Sequence, residues 1–423
     1  MSQEFLALEQ GGHALASRTP FAAPEILGGD EAAMKQSWKL SIACFLVAGA
    51  AAIGPACAQE LVKIGLPMPL TGVLSAVGQQ AVAGARLYMT LHGDTVAGRK
   101  VQLIVKDDTS VPDVSKRIAQ EMIVNDKVDL IGGGLTPNVL AIAPLVTEAK
   151  KATVIMVSGT SFVIGRSNYF VRTSWTHGQQ ASVLADWAAK NGSKRVTIVS
   201  SDWAPGAEAS GVFSEYFTKA GGEIIETIKV PLANPDFAPF LQRASDTHPD
   251  TLFVFVPAGQ AATFAKQFVE RGLNKSGIKL IGPGDISDDH DLPGMSEAMI
   301  GTITAGFYSA DHSSSLNAKY VAAFEKTNPT MRPNFISVSA YDGMHLIYQA
   351  LKKTGGKTDG DALVKAMKGM TWESPRGPVA IDAETRDIVQ NIYLRKVERK
   401  NGQLYNVEFV TFAAVKDPAK TKK

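Results

Sequence analysis

Asp129-Leu130-Ile131-Gly132-Gly133-Gly134-Leu135-Thr136-Pro137-Asn138 is the stretch whose reading decides the fold. An apolar strand, Val128 to Ile131, runs through three glycines into the start of a helix. Glycine lets a backbone approach its neighbour closely, Thr136 suits an N-cap, and Pro137 suits the first helical position. The unpaired N–H groups of such a start favour an anion, by up to about 2 kcal/mol when partly buried. The run lacks the Gly-Lys-Ser/Thr ending of a nucleotide P-loop, so a carboxylate is the natural guest. Asp250 to Gly259 uses the same strand-to-turn device a second time.

The chain on either side repeats the pattern. Leu61 to Leu66 reads as a first strand stopped by Pro67 and Pro69, followed by a helix with Val82, Ala85 and Met89 on its apolar face. Val101 to Val105 is a second strand that ends at Asp107-Asp108. The next helix begins near Pro112-Asp113 and sets Val114, Ile118 and Met122 on one side, four residues apart. Thr153 to Val157 makes a fourth strand after Val128 to Ile131. Beyond Tyr169 to His177 the alternation starts again. Strands are expected at 195–200, 223–230, 251–256, 279–282 and 302–307, with helices at 206–220, 236–245 and 259–271. Alternation of this kind predicts α/β architecture with parallel-dominated sheets, and two successive sets predict two lobes. A later helix carries Ile336, Ala340, Met344, Ile347 and Leu351 on one face, and short strands follow at 378–381, 391–397 and 405–412.

Composition narrows the class of function. The 423 residues are 45% apolar and 20% charged, with a net charge of only +2. That balance predicts a globular protein without the basic field that nucleic acid or an anionic membrane would require. The N-terminal region reads as a secretory leader. Lys35 and Lys39 precede an apolar run of 14 residues, Leu40 to Ile53, which leads to Ala56-Cys57-Ala58. The run is too short for a membrane span, which needs about 20 residues. Cleavage is expected after Ala58, with Met34 as the start of the leader and residues 1–33 as an extension. Both cysteines, Cys44 and Cys57, would leave with the leader, which removes disulfides, thiol catalysis and thiolate metal sites from the mature chain. The mature chain is expected to be periplasmic, with no membrane insertion.

Six motifs, in order and at matching spacing, carry a family resemblance. They are Leu66-Pro67-Met68-Pro69-Leu70-Thr71-Gly72, Asp107-Asp108, Ile131-Gly132-Gly133-Gly134, Lys219-Ala220-Gly221-Gly222, Ala340-Tyr341-Asp342-Gly343 and Arg376-Gly377-Pro378. Together they resemble the leucine/isoleucine/valine-binding family of periplasmic binding proteins, the solute receptors of ABC importers. The resemblance implies two Rossmann-like lobes joined by a three-crossover hinge, with a ligand clamped between them and no cofactor. By that analogy the first lobe is 59–174 with 309–376, the second is 175–308 with 377–413, and 414–423 is a basic tail that solvent would surround. The implied partners are a small amino acid or carboxylate and the permease subunits of the transporter.

The same resemblance assigns roles. Thr136 occupies the position whose hydroxyl holds the ligand carboxylate, although residue type alone equally allows a simple helix cap. Pro137 and Asn138 lie beside it. Ser158, Gly159 and Thr160 would complete the carboxylate cage, where ordinary turn chemistry is the competing account. Val77 falls where many relatives carry a ligand-facing aromatic. Across the cleft, Trp203 could supply a flat wall or pack on the hinge, and Pro205-Gly206 replaces a Tyr-Gly pair. Gly259-Gln260 falls at the next strand end, where a small residue leaves room. These departures lean towards a bulkier, aromatic ligand. Asp285 is the amino-acid test: reaching in, it would pair with an ammonium group, and a solvated loop position would instead fit a plain carboxylic acid. Solvation is the expectation.

Two other functions share these features. A sensory receptor of the same fold would meet an output module, and a secreted enzyme would turn its ligand over. Asp288-Asp289-His290-Asp291 has metal-ligand residue types, but four adjacent residues in a loop cannot all converge on one ion. The histidines show no partnered spacing, and there is neither a Gly-x-Ser-x-Gly elbow nor a dinucleotide fingerprint. The sequence therefore reads as a non-enzyme.

Overall fold

The computed structural model describes residues 61–421 apart from Asn234. The extension 1–33, the leader 34–58 and its cleavage point lie outside the described residues. The first sheet contains β1 (Leu61–Met68), β2 (Thr95–Val96), β3 (Arg99–Asp107), β4 (Leu130–Gly133), β5 (Thr153–Ile155) and β6 (Phe170–Arg172). Its order is β2-β3-β1-β4-β5-β6, parallel throughout except for the short edge strand β2. Three helices connect the strands: α1 (Ser75–His92), α2 (Pro112–Val124) and α3 (Thr136–Glu148). Ile118 and Met122 of α2 are buried as their spacing predicts, and so is Ala85 of α1.

The second sheet repeats the arrangement with β7 (Arg195–Ser201), β8 (Glu223–Val230), β9 (Thr251–Phe255), β10 (Lys279–Pro283) and β11 (Ile303–Gly306). Its connecting helices are α4 (His177–Lys190), α5 (Ala204–Lys219), α6 (Ala238–Asp246) and α7 (Ala261–Glu270). The chain then returns to the first sheet through α8 (Ser315–Thr327), α9 (Phe335–Lys353) and α10 (Gly360–Met367). The five predicted apolar positions of α9 are all buried, and this helix packs along α1. Antiparallel strands β12 (Thr371–Ser374), β13 (Gly377–Ile381), β14 (Ile388–Lys400) and β15 (Gln403–Val415) complete the second sheet. The α/β reading with two parallel-dominated sheets and three crossovers therefore holds.

Two boundaries differ from expectation. Strand β12 is hydrogen-bonded to β13, so the chain has entered the second sheet by Thr371, ahead of the expected division at 376. The segment 414–423 is not a free tail as far as it is described. Val415 still belongs to β15, and Asp417 is buried, with its Oδ1 accepting from the Ser161 hydroxyl at 3.0 Å. Lys416 pairs with Asp382 at 2.8 Å. Among the described residues, no helix is long and apolar enough to cross a membrane.

The contact of α1 with α9 depends on Gly84. A Cβ at this position would lie 2.0 Å from the Ser337 carbonyl oxygen, which is main chain and cannot swing aside. Gly211, in α5, meets nothing within 4 Å. Glycine weakens an exposed helix by roughly 0.5–1 kcal/mol relative to alanine. The two replacements therefore act in opposite directions. Gly211→Ala should stabilise by about that amount, and Gly84→Ala should destabilise by about 1–3 kcal/mol or more through overpacking. Urea unfolding followed by circular dichroism measures both.

Candidate functional site

A cavity of about 400 Å³, its mouth included, is lined by residues of both sheets. The lining comes from the carboxyl ends of parallel strands: Leu135 and Thr136 after β4, Val157 to Gly159 after β5, Trp203 and Pro205 after β7, Phe255, Pro257 and Ala258 around the end of β9, and Asp285 after β10. Open α/β sheets collect ligands at these ends, because the loops there and the helix starts that follow converge.

The first lobe presents hydroxyls. Helix α3 begins at Thr136, with Leu135 as its N-cap residue and Pro137 in its first turn, so the helix starts one residue earlier than the sequence predicts. Thr136 therefore does not cap. Its Oγ1 lies 2.6 Å from Ser158 Oγ and 2.9 Å from Thr160 Oγ1. All three side chains are buried, and Thr136 and Ser158 face the cavity while Thr160 stands behind them. The loop is held from below by Arg172. Its Nη1 donates to the carbonyls of Ser158 (2.6 Å) and Trp175 (3.0 Å), and its Nη2 donates to that of Thr160 (2.8 Å). With those carbonyls turned to the guanidinium, the hydroxyls are free to point the other way.

Aromatic rings form most of the remaining wall. Trp175 lies on the first crossover and stacks on Phe307 of the second, at 5.6 Å between centroids, with Phe335 edge-on at 4.9 Å. His177 meets Phe255 edge-on at 4.9 Å. Gly159 makes room for both crossover residues: a Cβ there would sit 2.4 Å from Trp175 Nε1 and 2.6 Å from His177 Nε2. Trp203 lines the opposite side, with Leu74, Val77 and Ile336 between. Trp175, His177, Phe255 and Phe335 are not among the residues that the sequence picks out. The indole N–H groups of Trp175 and Trp203, Nδ1 of His177 and Oδ2 of Asp285 are buried without a hydrogen-bond partner.

Asp285 corrects the expectation of a solvated loop. It is 4% exposed, sits in a short 3₁₀ turn (residues 284–287), and lines the cavity. Proline-ended β10 delivers this turn inward, and Gly284 N anchors it by donating to Gln180 Oε1 at 3.0 Å. Burial raises the Asp285 carboxyl to about 7, against the weaker pull of its own backbone N–H and of Arg395. Burial, with the positive charge of Arg172, drives His177 down to about 3, so its imidazole is neutral at pH 7. Asp285 and His177 are the only ionisable groups among the lining residues, and no Lys or Arg lines the cavity.

Four expected residues do not reach it. Pro137 is half-buried in the first turn of α3, away from the lining. Asn138 points the other way, donating to Asp108 Oδ2 (2.8 Å) and Ser115 Oγ (2.6 Å), so it ties α3 to α2. Gln260 donates to the Leu232 carbonyl at 2.8 Å. Thr160 acts only through Thr136. Tyr341 bonds His92 Nε2 at 3.0 Å and packs between helices. In the acidic loop Asp288 accepts from Asn334 Nδ2 at 2.9 Å, and the described residues contain no group of three or more metal-type side chains placed to hold an ion.

The lobes are in contact across the mouth. Gly259 approaches Ala76 so closely that a Cβ on it would lie 3.6 Å from the alanine Cβ. Glu208 of α5 accepts from Ser161 N (2.8 Å) and Ser161 Oγ (2.7 Å), one residue beyond the hydroxyl trio. This is a closed arrangement.

Comparison with known proteins fits this geometry. The family model described as periplasmic binding protein matches residues 61–403. A Leu/Ile/Val-binding protein homolog of Brucella melitensis is 40% identical over 391 residues, covering 91% of this chain and 99% of its own length. A solved ABC-transporter solute binding protein of Rhodopseudomonas palustris BisB5, in complex with 3,4-dihydroxybenzoic acid, is 58% identical with a TM-score of 0.84, covering 85% of this chain and 99% of that one. Its counterpart from Rhodopseudomonas palustris HaA2, in complex with p-hydroxybenzoic acid, is 38% identical with a TM-score of 0.83, covering 86% and 100%.

The two ionisable groups of the cavity predict opposing pH slopes. His177 folds with its pKa lowered from 6.5 to about 3, so below pH 6.5 the unfolded chain binds more protons and stability falls as pH drops. Asp285 folds with its pKa raised from 3.8 to about 7, so its contribution is fully present below pH 3.8 and is lost as pH rises through 7. Between pH 4.5 and 6.5 the two partly cancel, each contributing a slope of up to about 1.4 kcal/mol per pH unit. Urea unfolding of the ligand-free protein across this range should give a steeper acid loss for Asp285→Asn than for the parent. His177→Gln should give a shallower one.

Proposed function

The chain belongs to the periplasmic binding protein family and is an ABC-transporter solute-binding protein, and from that premise we propose that its ligand is a small aromatic carboxylate. The observation that carries this reading is the pairing, in one cavity, of a buried hydroxyl cluster with walls of Trp175, Trp203, Phe255 and Phe335. The carboxylate is placed on Thr136 and Ser158, with the unpartnered indole N–H of Trp175 beside them. The ring lies between the aromatic walls. Neutral donors suffice for an anion in a dry site, because hydrogen bonds to a charged acceptor are worth about 1.5–3 kcal/mol each there. The 58% identity to a receptor crystallised with 3,4-dihydroxybenzoic acid supports the same class of ligand.

A second reading is an α-amino acid, favoured by the position of Asp285 inside the cavity, where it could pair with an ammonium group. The names of the curated relatives point the same way. An amino acid, however, would use the aromatic walls only through its side chain. In either case ligand docks on the first lobe and the second closes over it, so that closure strengthens the polar contacts by excluding water. The closed form is then what the permease subunits read, in the periplasm, after removal of the leader at Ala58. On this reading the protein is a receptor that returns its ligand unchanged.

A thermal-shift screen separates the readings. 4-Hydroxybenzoate or 3,4-dihydroxybenzoate at a hundredfold excess over Kd should stabilise the protein by about 2.7 kcal/mol, and leucine should leave it unchanged. A shift with leucine and none with any aromatic acid would select the amino-acid reading. By calorimetry, Thr136→Ala should weaken the aromatic acid by about 1–3 kcal/mol. Unchanged affinity would remove Thr136 from the site.

A further inference from the structure

We infer that Asp285 reads a ring hydroxyl on the ligand, remote from the carboxylate, and so makes the receptor selective for hydroxylated over unsubstituted aromatic acids. The inference rests on the aromatic-acid reading and adds what the far end of the ligand must carry. The hydroxyls of Thr136 and Ser158 belong to the first lobe, and Asp285 belongs to the second. A ligand whose carboxylate occupies the first therefore turns its opposite edge towards the second.

Asp285 needs a donor that the protein does not supply. Its Oδ2 is buried with no partner. The nearby guanidinium of Arg395 makes its hydrogen bonds elsewhere, Nη1 to the Tyr308 carbonyl and Nη2 to Thr304 Oγ1, and its Nε, though unpartnered, makes none to Asp285 Oδ2. The Gln180 side chain is anchored on Gly284 N. An unpaired buried acceptor costs about 1–3 kcal/mol, more when charged, and a donor on the ligand removes that cost. The second lobe also offers the unpartnered indole N–H of Trp203. An orphan acceptor and an orphan donor on residues lining the same cavity suit a guest that carries a hydroxyl, which donates once and accepts. They match an ammonium poorly, since it has three donors and accepts nothing. A methyl group or a bare ring edge would leave both unpaired. A carboxyl close to neutrality in its pKa serves a hydroxyl in either protonation state, whereas an ammonium needs the ionised form.

Calorimetry at pH 7 on the intact protein tests this with benzoate, 4-methylbenzoate, 3-hydroxybenzoate, 4-hydroxybenzoate and leucine. The methyl compound matches the 4-hydroxyl in size. At least one hydroxylated acid should bind about tenfold to a hundredfold tighter than benzoate and 4-methylbenzoate. In Asp285→Ala that ratio should fall to within about threefold. Equal or tighter binding of benzoate or 4-methylbenzoate by the parent protein overturns the inference and needs no variant. A ratio that survives Asp285→Ala in a protein that unfolds normally in urea overturns it too. Failure of the underlying reading looks different: no aromatic acid binds, leucine does, and Asp285→Ala abolishes leucine binding.

Discussion

The buried guanidinium of Arg172 fixes the shape of the cleft. It has no exposure to solvent, and an ion in that position costs several kcal/mol unless every donor is met and a counter-charge is close. Asp387 supplies the charge, and the carbonyls of Ser158, Thr160 and Trp175 take the remaining bonds. Those carbonyls come from the hydroxyl loop and from the first crossover, so one side chain holds both the hydroxyl-bearing end of the cavity and the Trp175 segment. Arg376 repeats the device one layer away. It pairs with Asp342 at 2.8 Å, donates to the carbonyls of Thr173 and Ser174, and lies over the ring of Phe307. The crossover region thus holds two buried cations wrapped in main-chain oxygen.

Closure is defined by contacts remote from that hinge. Glu208 spans from α5 to the backbone of Ser161, and Asn334 at the start of α9 reaches Asp288 on the other lobe. Burial raises the Glu208 carboxyl, which the two Ser161 donors only partly offset. Contacts of this kind bias a two-state equilibrium without creating it. A ligand shifts the balance only by the difference between its affinities for the open and closed forms. On the proposed docking order, the wall residues of the second lobe, Trp203, Phe255 and Asp285, would be where that difference arises, because the first-lobe hydroxyls would meet ligand in both states.

The fold was legible because its signals are periodic and local. The buried face of α9 and the limits of β8 follow directly from residue spacing. The hydroxyl half of the site was legible for a related reason, since glycine and hydroxyl residues after a strand advertise a loop near a ligand. The aromatic half was not. Phe255 is the last residue of a core strand, Phe335 the first residue of a helix, and Trp175 a single residue in a crossover. Nothing local separates an aromatic that faces a cavity from one that fills a core. Asp285 was misjudged because an aspartate two residues after a proline reads as a turn. Its burial is decided by Gln180 and Arg395, about a hundred residues away on either side. Asn138 failed in the reverse sense: its neighbours suggested a ligand, but Asp108 and Ser115 already meet its amide.

The charge balance of the cavity ties these observations together. On the aromatic-acid reading, a carboxylate ligand would enter a space lined by no cationic side chain, with a neutral imidazole, and would share that space with Asp285. Two anions in one dry cavity repel, and the repulsion grows as water leaves. Separation by lobe keeps them as far apart as the cavity permits, and a carboxyl already raised to about 7 lets one proton neutralise the second charge at small cost. An ammonium group would reverse the logic, holding Asp285 ionised and drawing it towards the ligand. On the aromatic-acid reading the cavity would discriminate by how many charges its guest brings as well as by shape, and the absence of positive charge from its lining would give Asp285 the deciding role.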